Sequence, residues 1–212
     1  MKKTLLAMTL ACVVAAGSAQ EENPYQTYKN DIAFGILGAG ELKSFGFPVP
    51  ALSYRRFFTN SSVRVVMGGY IATDNQSGAN FQYYEEQNAL SIRAGYQYLV
   101  WLGRFTPHIG LDAFAGYYDW SYRDHSGWNN FVSESTTVTR SFGLSPNIAL
   151  KYWFAPKLSV SLEMRTDLGY KEQRDLWSTN DPFSGNASGK SVSTGLMTHV
   201  APISSFMVSF HF

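Results

Sequence analysis

Phe206-Met207-Val208-Ser209-Phe210-His211-Phe212 alternates apolar and other side chains up to a final aromatic ring. A solvated, fraying terminus gains nothing by exposing three phenylalanines. Successive side chains of a strand point to opposite faces, so this pattern suits a strand with lipid on its even face and a polar interior on its odd face. The reading stands or falls on whether the pattern recurs.

It does. Eight stretches of period-2 patterning are predicted as strands near 31–40, 50–59, 62–72, 87–101, 104–119, 137–154, 157–171 and 190–212. Each is about long enough for the ~9–11-residue tilted strand that crosses a bilayer. In the seventh, Leu158, Val160, Leu162, Met164, Leu168 and Tyr170 share one face; Ser159, Ser161, Glu163, Arg165, Asp167 and Gly169 share the other. The fourth sets Leu90, Ile92, Tyr96 and Tyr98 against Ser91, Arg93, Gly95 and Gln97. Strands one to three are noisier, with Leu37 and Val66 on the polar face.

The connections alternate in length. Asn60-Ser61, Leu102-Gly103 and Ala155-Pro156 are tight turns, whereas 41–49, 73–86, 120–136 and 172–189 read as long loops. Short turns at one end and long loops at the other is the asymmetry of outer-membrane barrels. Aromatics gather at the tight-turn end (Phe57, Phe58, Trp101, Phe105, Tyr152, Trp153, Phe154, Phe210, Phe212) and are expected to form an interfacial girdle.

Residues 1–19 read as an export leader: Lys2 and Lys3, the apolar run Leu5 to Ala16, then Gly17-Ser18-Ala19 as a small-residue cleavage site. The only cysteine, Cys12, lies within it, so residues 20–212 are expected to form one domain without disulfides. Loss of the two leader lysines turns a net charge of +1 into −1, which gives no electrostatic case for nucleic acid. Charged residues make up 16%, against the ~25% usual in soluble domains, and aromatics also reach 16%. Beyond the leader no run approaches 18 apolar residues, which excludes helical spans.

Alternation alone also fits a soluble barrel, and the composition of the polar face decides. It is mainly Gly, Ser and Ala with isolated charges, which suits the crowded interior of an eight-stranded barrel. The charges expected inside are Arg55, Arg64, Arg93, Asp112, Lys151, Glu163, Arg165 and Asp167, with His108, His199 and His211. If Phe57 faces Ser62, then Arg55 faces Arg64, a like-charge pair that calls for carboxylates, and Glu163 and Asp167 lie roughly across the barrel. If Trp101 faces Thr106, Arg93 is diagonal to Asp112, and Lys151 is placed to reach Glu163. This network is read as structural filling that must pair internally.

Leader, eight amphipathic strands, tight turns, long loops and terminal Phe together resemble the small outer-membrane barrels of the OmpA/OmpX type, over residues 20–212. The resemblance implies an all-β, eight-stranded antiparallel up-and-down transmembrane β-barrel in the cell outer membrane, with both termini periplasmic. It implies an assembly signal at Phe206, Phe210 and Phe212 for the barrel-assembly machinery, and contact with lipid and lipopolysaccharide. No peptidoglycan-binding domain is expected, so the anchoring role of longer members is not carried over.

The outer loops hold the candidate contact residues: Tyr118, Trp120, Tyr122, Trp128, Phe131 and Trp177, set among Asn, Ser and Asp. Rigid aromatics with short polar neighbours supply contact area and adaptable hydrogen bonds, as in paratopes. Arg140, on the lipid-facing parity near the outer rim, is placed to meet an anionic headgroup. His108, His125, His199 and His211 show no metal-ligand spacing, and no cofactor motif occurs. The expected function is non-enzymatic: a barrel with a filled lumen presenting loops for structure, adhesion or contact with an extracellular ligand or host surface. The competing readings are a lipid A-modifying enzyme, with Ser121, His125, Ser126 and Ser133 near the rim, a narrow ion channel, and a soluble periplasmic ligand-binding barrel.

Overall fold

A computed structural model of the chain describes residues 28–37, 49–126, 131–181 and 183–212. The expected leader, most of the first outer loop and Trp128 lie outside the described residues. Within them the strands are β1 (Asn30–Leu37), β2 (Val49–Phe57), β3 (Ser61–Gly78), β4 (Phe81–Leu99), β5 (Phe105–Ser126), β6 (Phe131–Ala155), β7 (Leu158–Asp181) and β8 (Gly185–His211).

Every neighbouring pair is antiparallel and sequential, and β8 returns to β1, so the sheet closes on itself. Closure is sealed where Asn30 and Phe212 exchange backbone hydrogen bonds of 3.0 Å in both directions. Closure leaves no unpaired edge along the shared length of the strands. The tight turns fall at one end, and Gly103 takes φ +58° in the turn between β4 and β5, a conformation that costs glycine little.

The polarity of the wall is inverted relative to a soluble domain. Large apolar side chains such as Phe34, Leu90, Leu111, Ile148, Leu162, Met164 and Val208 stand exposed on the outside. The fully buried side chains include Arg93, Lys151, Gln97, Asp31, Asp112 and Asp167. Alternation along each strand produces both sets at once.

Three expectations are corrected. The segments 73–86, 120–136 and 172–189 are not long loops: β3 and β4 pair up to Gly78–Phe81, β5 and β6 up to Ser126–Phe131, and β7 and β8 up to Asp181–Gly185. The β-ladder continues past the apolar belt, because backbone pairing needs no apolar face. Secondly, Phe57 and Trp153 do not join an outward girdle. Both are buried inside, where Trp153 donates to Thr106 Oγ1 at 3.0 Å and its ring lies 3.9 Å from that of His211. The outward rings at that end include Phe58, Phe105, Phe154, Phe210 and Phe212, with Tyr152 5.0 Å from Phe105. Thirdly, Leu37 and Val66 are not noise. With Ala33, Val49, Ala51 and Met207 they form an apolar layer inside the barrel. A register shift between Glu163 and Arg165 places a bulge in β8 between Ala201 and Ser205, leaving both Ser204 and Ser205 buried.

Candidate functional site

The interior is stacked in layers. At the turn end Trp153, Phe57, Leu99 and His211 fill the cross-section, with the Lys151 ammonium 5.1 Å from the Phe57 ring centroid and 5.6 Å from that of Trp153. Above lies a polar layer in which Gln97 donates to Asn147 Oδ1 at 2.7 Å and sits 3.2 Å from His108 Nδ1. Next come the charges, and beside them the apolar cluster of Leu37, Val66 and Met207, in which Val66 lies directly opposite Arg93 across β3 and β4.

The structure places all eight sequence-selected charges inside, each buried. Arg55 does face Arg64 across β2 and β3. Arg64 is ion-paired to Asp112 and, across the barrel, to Glu163. Arg93 makes a bidentate pair with Asp167, at 3.1 and 3.2 Å, and its guanidinium lies 5.0 Å from the Phe114 ring centroid. Asp167 also accepts from Ser145 at 2.7 Å and lies 3.6 Å from Arg165.

Two pairings differ from the sequence expectation. Asp112 serves Arg64 rather than Arg93, because it projects from opposite Gly95 and meets its cross-strand neighbour's partner instead of the diagonal. Lys151 does not reach Glu163; it pairs with Asp31, which also lies 3.7 Å from Arg55 and 3.8 Å from His211. Asp31 was not selected from the sequence. Its signal was present: it shares the odd parity of Ala33 and Gly35 in β1, which faces inward. Among the described charges, Asp31 is the carboxylate that ties β1 to the opposite wall.

Beyond the apolar belt the wall continues from β3 to β8, and the candidate contact residues line its inner face. Tyr118, Trp120 and Tyr122 belong to β5, Phe131 opens β6 and Trp177 lies in β7. Trp120 and Tyr122 rings sit 5.2 Å apart. Glu85 organises this face, accepting from Tyr83 at 2.5 Å, Gln87 at 2.6 Å and Trp120 Nε1 at 2.7 Å. These bonds hold the Glu85 carboxyl below its ordinary value and push the Tyr83 hydroxyl up to about 12. Across the cup, Asp175 accepts from Thr137 at 2.8 Å and from Ser191 at 3.3 Å. Arg140, exposed on the outer face where the belt ends, stands opposite Glu172 and Tyr117. Phe206 and Phe210 face outward on β8, and Phe212 follows it.

Ser121, His125, Ser126 and Ser133 are separated by the alternation: Ser121 and His125 take one parity, Ser126 and Ser133 opposite or distant register positions. No nucleophile–base–acid chain is assembled from them.

No protein-family model and no curated protein matches the chain. Among solved structures, the chain is similar to a major outer membrane protein of Thermus thermophilus, with 12% identity, a TM-score of 0.50, and coverage of 88% of this chain and all of that one. CarO and CarO2 of Acinetobacter baumannii also align, each at 9% identity and a TM-score of 0.34, over 90% and 88% of this chain and the whole of theirs. The likeness to the Thermus protein is one of fold: an antiparallel β-barrel of the kind found in outer membranes.

Proposed function

We propose that this chain is an eight-stranded transmembrane barrel of the outer membrane, non-enzymatic, with a filled lumen, whose extended hairpins form a surface for contact outside the cell. The turn end and both termini then lie in the periplasm, and the belt meets lipid, with Arg140 at the level of lipopolysaccharide phosphates. One observation carries the reading: the exposed belt is apolar while charges are buried, an arrangement that is stable only with hydrocarbon outside. The layers of Trp153, the ion pairs and Leu37–Val66–Met207 leave little open cross-section, which favours a plug over a pore.

The contact surface would be the aromatic and carboxylate-bearing inner face of the hairpin wall, with Trp120, Tyr122 and Trp177 as anchors. Cells carrying the triple variant Trp120→Ser, Tyr122→Ser and Trp177→Ser should lose binding to host matrix or to one another, while the purified barrel keeps its heat-modifiable gel mobility. Equal binding by variant and parent would remove the contact role. Discrete, salt-scaled openings of the parent in planar bilayers would replace the plug by a channel.

A further inference from the structure

The hairpin wall sorts its charges by face. The registers of β3 with β4 and of β4 with β5 run unbroken from the buried Arg64, Arg93 and Asp112 up to Gly78, Phe81 and Ser126. Alternation therefore carries Asp74, Glu85 and Asp124 onto the inner face, with Tyr83, Trp120 and Tyr122 among them. The outer face is mixed in sign and paired: Arg123 meets Glu134 at 2.6 Å, and Arg174 is paired with Glu172. On the inner face of the described wall the basic side chain is that of Lys171, on β7, where its charge acts on Asp175. Between Leu37 and Phe212 the residues outside those described carry one acid, Glu41, and one base, Lys43. Even with Lys43 set against the β3–β5 wall, three carboxylates would face one ammonium.

These carboxylates are held by neutral donors. Gln76 donates to Asp74 at 3.0 Å and Gln87 to Glu85 at 2.6 Å, and Tyr83 and Trp120 also donate to Glu85. Such donors fix a carboxylate without cancelling its charge. Asp74 stands directly opposite Glu85, a like-charge pair that a sheet disfavours, and Asp124 follows on the next strand, opposite Tyr83. Trp120 and Tyr122, with rings 5.2 Å apart, add the electron-rich faces that attract ammonium and guanidinium groups. Among the described residues no three metal-ligating groups converge. The acids are instead spread over three strands, about 4.8 Å apart, with rings between them. That spacing matches several cations carried on one chain better than it matches a single ion.

We propose that the inner face of the β3–β4–β5 wall docks a polybasic peptide segment, its arginine or lysine side chains against the Trp120 and Tyr122 rings and its charges shared among Asp74, Glu85 and Asp124. This partner deepens the contact role proposed above and rests on it.

The test measures fluorescence anisotropy of a labelled nona-arginine peptide added to the refolded full barrel in zwitterionic detergent. Binding should saturate, weaken as salt rises, and be absent for a nona-glutamine peptide. Asp74→Asn with Asp124→Asn leaves the bonds to Glu85 in place and should weaken binding by about tenfold. Asp119→Asn with Glu134→Gln removes the same charge from the outer face and should leave binding unchanged. Trp120→Ser with Tyr122→Ser should weaken it as well, and gel mobility before and after heating reports that each variant is folded. An equal loss from the outer-face pair would reduce the effect to net charge and overturn the docking face. So would full binding by the ring variant, or free arginine amide competing as well as the peptide, mole for mole. The last two measurements on the parent, salt dependence and competition, need no variant to fold. A parent that adheres to matrix or cells yet ignores the peptide would overturn this partner and leave the contact role standing; a parent that binds neither would remove both.

Discussion

Glu163 and Arg64 form an ion pair at the middle of the barrel, where Arg64 joins carboxylates from β5 and β7. Removing one partner of a buried pair leaves the other charge stranded, at a cost of about 3–5 kcal/mol, whereas replacing both by apolar groups is often neutral. Glu163→Ala should therefore lower the unfolding free energy of the refolded barrel in urea by that order, and Glu163→Leu with Arg64→Met should recover most of it. An equally damaged double variant would show that packing, not charge, dominates at this layer. Gly95 makes a second, geometric demand. A Cβ there would stand 2.0 Å from Asp112 Oδ1 and 2.4 Å from the Leu111 carbonyl oxygen. Gly95→Ala must push Asp112 off Arg64, and it should destabilise the barrel far more than Ala94→Gly, a change on the outward face of the same strand. The inward charges were legible because each interrupts an apolar–small alternation. Their partners were less so, since register fixes only which residues lie opposite and long side chains choose among several diagonals. Asp31 escaped because β1 is short and its contrast between faces is poor. Trp153 escaped because Tyr152-Trp153-Phe154 is aromatic on both faces, so parity carried no chemical label.

The outer halves of β3 to β8 were the elements hardest to see. A strand in lipid is marked by one apolar face; once it leaves the bilayer both faces become polar, as in Glu85-Glu86 and Ser133-Glu134-Ser135, while the hydrogen-bonded ladder goes on unmarked. Periodicity therefore reported where the belt stops, not where the strand stops. The β4–β5 pair carries a local pH dependence through the hydrogen bonds of Glu85. Hydrogen bonds from Tyr83, Trp120 and Gln87 depress Glu85 below its ordinary 4.5, so the stability they lend is full above 4.5 and is lost as the pH falls through the lower folded value. Tyr83 is the mirror case: raised from 10.0 to about 12 chiefly by the bond to Glu85, it contributes fully below 10 and its share disappears as the pH climbs through about 12. Near-ultraviolet circular dichroism of the folded barrel should show an acid step below pH 4.5 that is absent from Glu85→Gln. A step of the same size in that variant would assign the transition to another group.

At the scale of the molecule, the last two strands are long: β7 and β8 run through 24 and 27 residues. With ~3.3 Å of rise per residue and strands tilted by ~35–45°, the stretch Leu158 to Tyr170 spans about 28–32 Å along the barrel axis, enough to cross an apolar band of ~25 Å. The remainder of β7, from Lys171 to Asp181, must then stand in water. Nitroxide labels placed along one face of β7 give a depth gauge for this arrangement, and Cys12 lies in the expected leader, so no cysteine within 20–212 competes for the label. Labels at Leu158, Leu162, Met164 and Leu168 should collide with dissolved oxygen, most strongly near Leu162 and Met164 at mid-belt. A label at Leu176, equally exposed and on the same face, should respond instead to a water-soluble nickel chelate. A label at Ser161, one residue from Leu162 but inward, should be shielded from both reagents. Oxygen contact continuing to Leu176 would mean that the belt has been drawn too short and the hairpin wall lies in lipid. Nickel contact at Leu162 would mean that the barrel's greasy face meets water, and the inverted polarity that supports the membrane assignment would have to be explained by association between barrels.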